Sequence, residues 1–192
     1  MMCASRQEQS MKNTENHYGY LAISIHWLVA GIVFGLFGLG FWMVDLGYYD
    51  PWYKNGPDLH KSIGFILFVL MVLRVVYRSL QTMPTPLENH SKLERKAGHV
   101  VHSLLYVLLF FIMISGYLIS TADGRGIDVF ELFSIPSFGE LFSNQEDIAG
   151  TAHKYAAYVI IATAVLHGAA AIKHHVIDKD NTLKRMLGHR QK

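Results

Sequence analysis

The chain of 192 residues contains one cysteine, Cys3, and charged residues make up only 17% of it. A lone cysteine excludes a disulfide framework, a cysteine-based zinc site and an iron–sulfur cluster. The absence of any C-x-x-C-H run excludes covalent c-type haem attachment. So little charge beside 51% hydrophobic residues excludes a disordered chain. A net charge of +2, with no long basic run outside the C-terminal tail, gives no footprint for nucleic acid. What the sequence has in excess is imidazole: eleven histidines, in a chain whose mean hydropathy is +0.22. The length suits one domain.

The average hydropathy hides a segmented pattern. Apolar stretches run over Leu21–Val44, from His60 to about Arg78 with an apolar core from Ile63 to Leu73, over Val100–Ser120 and over Ile148–Ile172. Each approaches the ~20 residues that span a bilayer. A soluble four-helix bundle would carry polar faces at helical period, and stretches one, three and four have almost none. Phe34 to Trp42 and Leu104 to Met113 are apolar all round. The first stretch is longer than the roughly 7–15 residues of a signal-peptide core and no small-residue cleavage motif follows it, so no cleaved leader is expected. The predicted fold class is an all-α membrane protein, a bundle of four transmembrane helices.

Charge gives the orientation. The link between spans two and three carries Arg74, Arg78, Lys92, Arg95 and Lys96 against Glu88 and Glu94. The tail carries Lys173, Lys179, Lys184, Arg185, Arg190 and Lys192 against Asp178 and Asp180. The other two links are acidic, with Asp45, Asp50 and Asp58 in one and Asp123, Asp128, Glu131, Glu140, Glu146 and Asp147 in the other. The positive-inside rule places both termini and the central link in the cytoplasm. Aromatic residues crowd the outer links, Tyr48, Tyr49, Trp52 and Tyr53 in the first and Phe130, Phe133, Phe138 and Phe142 in the second, as interfacial rings do. Residues 1–20 read as a mobile polar lead, 21–178 as the membrane domain and 179–192 as a basic tail. Pro84 and Pro86 mark a turn or extended segment, and a short interfacial helix is expected near Asp128–Phe133.

Ionisable residues inside spans are functional candidates, and here they are histidines. His153 and His167 lie fourteen residues apart in span four, which is ~21 Å along a helix and about 40° apart in azimuth, on one face. His26, about five residues inside the cytoplasmic end of span one, matches His167 in depth. His60, at the outer start of span two, matches His153 within a turn. Two imidazoles facing across a bundle core make a bis-histidine haem site, and filled axial positions favour electron transfer over oxygen binding. Without cysteine attachment the haem is b-type. Zinc or copper also binds imidazole, but two histidines per level are too few for a closed site without carboxylates or thiols. No Asp or Glu lies deep in a span, which counts against a proton-driven pump. His99 and His102, three apart on one face of span three, are level with His26 and His167, so spacing alone leaves them as rival inner ligands. His174 and His175 follow at the inner rim, as interfacial residues or as contacts to a quinone head or haem propionate. His17, His90 and His189 lie in polar segments and read as solvated. Gly31 and Gly35 form a G-x-x-x-G close-packing pattern, and Gly64, Gly150 and Gly168 lie near the four histidines, where a macrocycle needs room. Lys61 and Lys154 outside and Arg74 and Arg78 inside are cations available to propionates.

These residues resemble a known family. Ile23-Ser24-Ile25-His26-Trp27-Leu28, Asp58-Leu59-His60-Lys61-Ser62-Ile63-Gly64, Gly98-His99-Val100-Val101-His102, His153 and the run from His167 to His175 look like the bacterial cytochrome b561 family. The resemblance extends from about Tyr18 to the end. It implies an inner-membrane cytochrome with two haem b that exchanges electrons with quinone. It implies that His26 and His167 hold the inner haem iron, that His60 and His153 hold the outer one, and that His174 serves ubiquinone. One member type is a superoxide:ubiquinone oxidoreductase, for which a positive outer surface would attract the anion; residues 121–147 carry six acids against one Arg. The elements Tyr48–Tyr53 and Thr121–Gly126 resemble a branch encoded near small periplasmic lipid- or isoprenoid-binding proteins. That implies a periplasmic redox partner, docked by charge complementarity to the acidic face.

Overall fold

A computed structural model describes residues 11–87 and 90–188. Four long helices dominate: α1 (Tyr20–Met43), α2 (Asn55–Ser79), α3 (Lys92–Thr121) and α4 (Gln145–Val176). A hairpin of β1 (Ile127–Val129) and β2 (Phe133–Ile135) joins α3 to α4, and a single turn, α5 (Thr182–Met186), follows α4. All four long helices are long and apolar enough to cross a membrane. At about 1.5 Å per residue they exceed the ~30 Å hydrocarbon core, so their polar ends stand in the headgroups.

Helices α2, α3 and α4 outrun their apolar stretches because their ends are set by local polar chemistry. Ser91 caps α3 in a reciprocal capping box: its hydroxyl accepts from the Glu94 N–H, and the Glu94 carboxylate accepts from the Ser91 N–H. That box starts the helix about two turns before Val100. The first turn of α4 carries Glu146 and Asp147 and its last turn Lys173, His174 and His175, charges placed to complement the helix dipole. Pro57 falls in the first turn of α2, where no backbone donor is needed.

The core is thin. Val29 of α1, Leu67 and Met71 of α2, Leu109 of α3 and Ile160 of α4 form one buried cluster. Ile160 is seven residues from both His153 and His167, so this apolar plug separates the two histidine levels. Large side chains such as Leu28, Leu73, Val107 and Leu166 point outward; in a bilayer these are the lipid-facing residues. Helices α1 and α2 pack closely, as do α3 and α4, whereas α1 meets α4 only thinly. The bundle is therefore two hairpins with a gap between them.

The outer end departs from expectation. Asp128–Phe133 is not a helix but the tip of the hairpin, paired Ile127–Ile135 and Val129–Phe133. Phe130 and Glu131 both take positive φ (49° and 59°), and the Leu132 N–H donates to the Val129 carbonyl, which makes a type I′ reversal. Gly126 permits the closure, since a Cβ there would lie 2.6 Å from the Ile135 carbonyl oxygen. Buried Ser62 accepts from the Phe130 N–H at 3.0 Å and so pins the hairpin to α2 two residues from His60. Buried Gln145 donates to the Leu118 carbonyl and accepts from the Leu141 N–H, tying the start of α4 to the end of α3.

The opposite end is also tied. Residues 11–19, expected to be mobile, are held to α2 and the link after it. The Asn13 N–H donates to Gln81, the Tyr77 hydroxyl to the Met11 carbonyl, and the Thr85 N–H to the Glu15 carbonyl. The tail folds back through α5, where Trp27 Nε1 donates to the Met186 carbonyl and Arg185 to the Thr85 carbonyl. His189 lies outside the described residues.

Candidate functional site

The gap between the helix hairpins is where the span histidines meet. At the outer level, His60 of α2 and His153 of α4 face each other with ring centres 6.3 Å apart and planes inclined 65°. At the inner level, His26 of α1 and His167 of α4 stand 6.5 Å apart at 74°. All four are half-buried. The rival His102 is exposed, and its ring centre is 4.9 Å from that of His167. His99 is exposed.

These separations bear on whether a metal-centred group fits. Two imidazoles ligating one metal from opposite sides at about 2.0–2.1 Å per bond, with about 1.1 Å more from each nitrogen to its ring centre, would set the centres roughly 6.2–6.4 Å apart. The 6.3 and 6.5 Å pairs match that spacing, whereas the 4.9 Å pair is too close for ligation from opposite sides. Gly31, Gly35, Gly64, Gly150 and Gly168 have nothing within 4 Å of a Cβ position. Gly31 and Gly35 are thus not a close helix contact within this chain, as their spacing had led us to expect. They open an apolar groove of about 420 Å³ that passes Trp27 and Leu39 of α1 and Ile63 of α2. This face of α1 lies about 140–180° around the helix from His26, and Ile63 of α2 is the one residue of another helix that lines the groove.

The outer pair is braced from behind. A Cβ on Gly40 of α1 would come within 3.2 Å of the His60 ring, and one on Gly116 of α3 within 3.2 Å of the His153 ring. Ser115 Oγ lies 3.1 Å from His153 Nδ1 and donates its own hydrogen to the Ile112 carbonyl at 2.9 Å. The hydroxyl can then only accept from His153, which puts the ring proton on Nδ1 and frees the Nε2 lone pair for a metal. His60 Nδ1 is buried with no hydrogen-bond partner among the described residues. Ser115, Gly116 and Gly40 were not singled out from the sequence. The signal available was a polar-small pair, Ser115-Gly116, interrupting an apolar run.

The inner pair is surrounded by donors instead. Arg74 Nη2 is 3.1 Å from His26 Nδ1, and Arg74 Nε donates to the Tyr106 hydroxyl at 3.0 Å. Arginine only donates, so in this arrangement His26 Nδ1 accepts and a neutral ring carries its proton on Nε2. Metal binding through Nε2 would require Arg74 to release Nδ1.

A third group lies beyond the inner level. His174, the residue the resemblance links to quinone, sits in the last turn of α4 with Nδ1 2.7 Å from Asp178 Oδ2. His90 is not solvated as its polar neighbours implied: its Nε2 is 2.8 Å from Asp180 Oδ2, and its ring is 4.7 Å from that of His174. His17 is likewise half-buried. Burial pushes the Asp180 carboxyl up, but the hydrogen bonds from the Thr182 N–H and His90 outweigh it and hold the group below the ordinary carboxylate range.

Comparison with known proteins gives this geometry its context. The family model described as prokaryotic cytochrome b561 matches residues 17–189. The chain belongs to the prokaryotic cytochrome b561 family. It is 50% identical over 179 residues to cytochrome b561 homolog 2 of Escherichia coli (strain K12), covering 93% of this chain and 95% of that one. It is 30% identical to the probable superoxide oxidase CybB of Yersinia pestis, over 88% and 95% of the two chains. It is 28% identical to cytochrome b562 of Cereibacter sphaeroides, over 90% and 96%. As a prokaryotic cytochrome b561, the protein is a multi-pass inner-membrane electron-transfer protein of a family that binds b-type haem.

Proposed function

We propose that this cytochrome carries electrons across the inner membrane between a quinone and a periplasmic redox partner. In this reading His26 and His167 hold one haem b and His60 and His153 hold a second. The observation that carries it is the pair of ring separations, 6.5 and 6.3 Å, at two levels of one bundle. Haem b held by these histidine pairs would supply reversible one-electron change. The protein residues do the rest. Val29, Leu67, Met71, Leu109 and Ile160 keep water out between the levels. Ser115 holds the His153 proton on Nδ1. Arg74 and Arg78 balance negative charge at the inner level, and Lys61 and Lys154 at the outer one. The charge of the links places both termini in the cytoplasm and the hairpin in the periplasm. His174, partly buried at the cytoplasmic rim, is the proposed quinone contact.

The partner reading draws on the outer rim. Residues 121–147 hold six acids and one Arg, and that Arg125 is already paired with Asp123 at 2.5 Å. Such a face suits a positively charged docking surface, as on a small lipid- or isoprenoid-binding protein. It does not suit the capture of superoxide. The second reading, superoxide:ubiquinone oxidoreductase, is favoured by the similarity to the Yersinia protein.

Pyridine haemochrome quantitation of the purified protein is expected to give two haem b per chain. Replacing His60 or His153 by Ala is expected to remove one spectral component, and replacing His26 or His167 the other. A folded protein with one haem, or loss of both components together in every variant, would overturn the two-level reading. Stopped-flow mixing with superoxide separates the two functions: haem reduction above background favours the oxidase, and none favours the partner-fed carrier.

A further inference from the structure

The group at the end of α4 has donor chemistry that the electron-transfer reading leaves unused. His90 comes from the α2–α3 link, His174 from the last turn of α4, and Asp178 and Asp180 from the connector to α5. Lys179 takes a left-handed conformation (φ 55°), and the Asp180 N–H donates to the His174 carbonyl. That reversal brings Asp180 back beneath the helix. Its side chain is 2% exposed, against 18% for His90 and 15% for His174.

We propose that His90, His174 and Asp180, with Asp178 beside them, form a binding site for a divalent transition-metal ion, zinc foremost. One ligand atom from each of His90, His174 and Asp180 lies within 4.8 Å of the other two. The separations are 2.8 Å from His90 Nε2 to Asp180 Oδ2, 3.5 Å from His174 Nδ1 to Asp180 Oδ2, and 2.7 Å from His174 Nδ1 to Asp178 Oδ2. The edge of a tetrahedron of N and O donors about zinc is roughly 3.3 Å, from bonds of about 2.0–2.1 Å. The three values bracket it.

The directions of these contacts argue in the same sense. His174 Nδ1 is buried and makes no directed hydrogen bond among the described residues, although Asp178 Oδ2 is at 2.7 Å. Acceptor lone pairs that converge without an aligned proton repel one another unless a cation lies between them. The two imidazole rings are 4.7 Å apart and inclined by 34°, an unfavourable pairing if both rings are protonated. Asp180 faces the two imidazoles and accepts from the Thr182 N–H, while the Thr182 hydroxyl lies 3.3 Å from His90 Nε2. Lys173 serves the other carboxylates, Asp178 at 2.7 Å and Glu94 at 3.4 Å. Two imidazoles with carboxylate oxygens suit zinc over magnesium, which takes oxygen donors and keeps its waters.

The metal site stands apart from the haem ligands. Its consequence for turnover rests on the role proposed for His174, because a zinc-bound Nδ1 no longer faces quinone. The ion would also clamp the α2–α3 link to the end of α4.

The test uses the full haem-loaded chain in detergent, stripped with chelator and equilibrated with zinc chloride. Equilibrium dialysis with elemental analysis is expected to show one zinc per chain, with the haem spectrum unchanged. His90→Gln and Asp180→Asn are each expected to weaken binding at least roughly tenfold. No binding, or equal binding by wild type and both variants, overturns the site. Should the variants fail to hold haem, the wild-type protein decides. Zinc is expected to shield His90 and His174 from diethyl pyrocarbonate, read by mass spectrometry, and equal labelling with and without zinc overturns the proposal. Haem content, read separately, keeps a failure here distinct from a failure of the two-haem reading.

Discussion

The outer and inner histidine pairs share a spacing but not a setting. Around His60 and His153 the protein supplies fixed, mostly neutral supports: a glycine behind each ring, the Ser115 hydroxyl on Nδ1 of His153, and the hairpin pinned by Ser62. Around His26 and His167 it supplies charge and spare imidazole: Arg74 on His26, Tyr106 on Arg74, and the exposed His102 beside His167. Packing fixes the ring positions of the outer pair, and Ser115 fixes the tautomer of His153. The inner pair is contacted by a cation whose hydrogen bond to His26 Nδ1 must break if Nε2 is to bind a metal. The outer level thus rests on packing and the inner level on charge.

The sharpest way to break this contrast is to remove the bracing. A side chain at Gly116 must displace the His153 ring, because even a Cβ approaches it to 3.2 Å. Gly116→Leu is therefore expected to abolish the outer spectral component and leave the inner one. Gly116→Ala needs a shift of only a few tenths of an ångström, and overpacking of this kind costs about 1–3 kcal/mol; lowered outer haem occupancy is expected. Gly31→Ala, facing open space, is the control and should leave both components. Equal loss of both components in Gly116→Leu would show that the glycine serves the whole bundle and not one ring. The measurement is the reduced-minus-oxidised spectrum of each purified variant.

A smaller effect is expected from Ser115→Ala. The ring keeps its place, but Nδ1 loses the acceptor that fixes its proton. Losing such an outer partner costs about 10–100-fold in metal affinity. The variant should bind both haems as isolated and lose the outer one first under competition by an apo-haem acceptor. Ser115→Thr, which keeps the hydroxyl, should restore retention. Unchanged retention in Ser115→Ala would mean that packing against Gly116 holds the ring without the hydroxyl.

The inner level has its own counterpart in Arg74. Removing the cation by Arg74→Gln withdraws charge that favours electron-rich states nearby. The inner midpoint potential is expected to fall by about 40 mV, the equivalent of about 1 kcal/mol of lost Coulomb stabilisation at a partly buried site. The outer potential should hold within error. A shift in both potentials, or in the outer one alone, would remove the distinction drawn between the two levels.

What was legible in the sequence was what repeats along one helix. Bilayer-length apolar runs and the fourteen-residue interval from His153 to His167 need only the helical period, and the depth matches of His26 and His60 need only the alternation of spans. The family resemblance then named the pairs. What depended on contacts between distant segments was not legible. The hairpin at Ile127–Ile135 requires Phe130 and Glu131 to adopt positive φ, which neither residue type advertises. His90 looked solvated because its neighbours in sequence are polar, while its partners are Asp180 and His174, 90 and 84 positions away. The bracing glycines were hidden because a glycine in an apolar span reads as helix packing until the facing ring is placed.

His102 offers the finest discrimination, because spacing alone left it a rival to His26. Its ring is 4.9 Å from His167 and exposed, against 6.5 Å for half-buried His26. A metal between trans imidazoles needs the larger gap. His102→Ala is therefore expected to retain both haems, with only a slight change in the inner band position from the altered surroundings of His167. His26→Ala should lose the inner band outright. The reverse result, a stable inner band without His26 and none without His102, would make α3 rather than α1 the partner of α4. It would also explain the thin contact between α1 and α4 as separation rather than as room left for a cofactor.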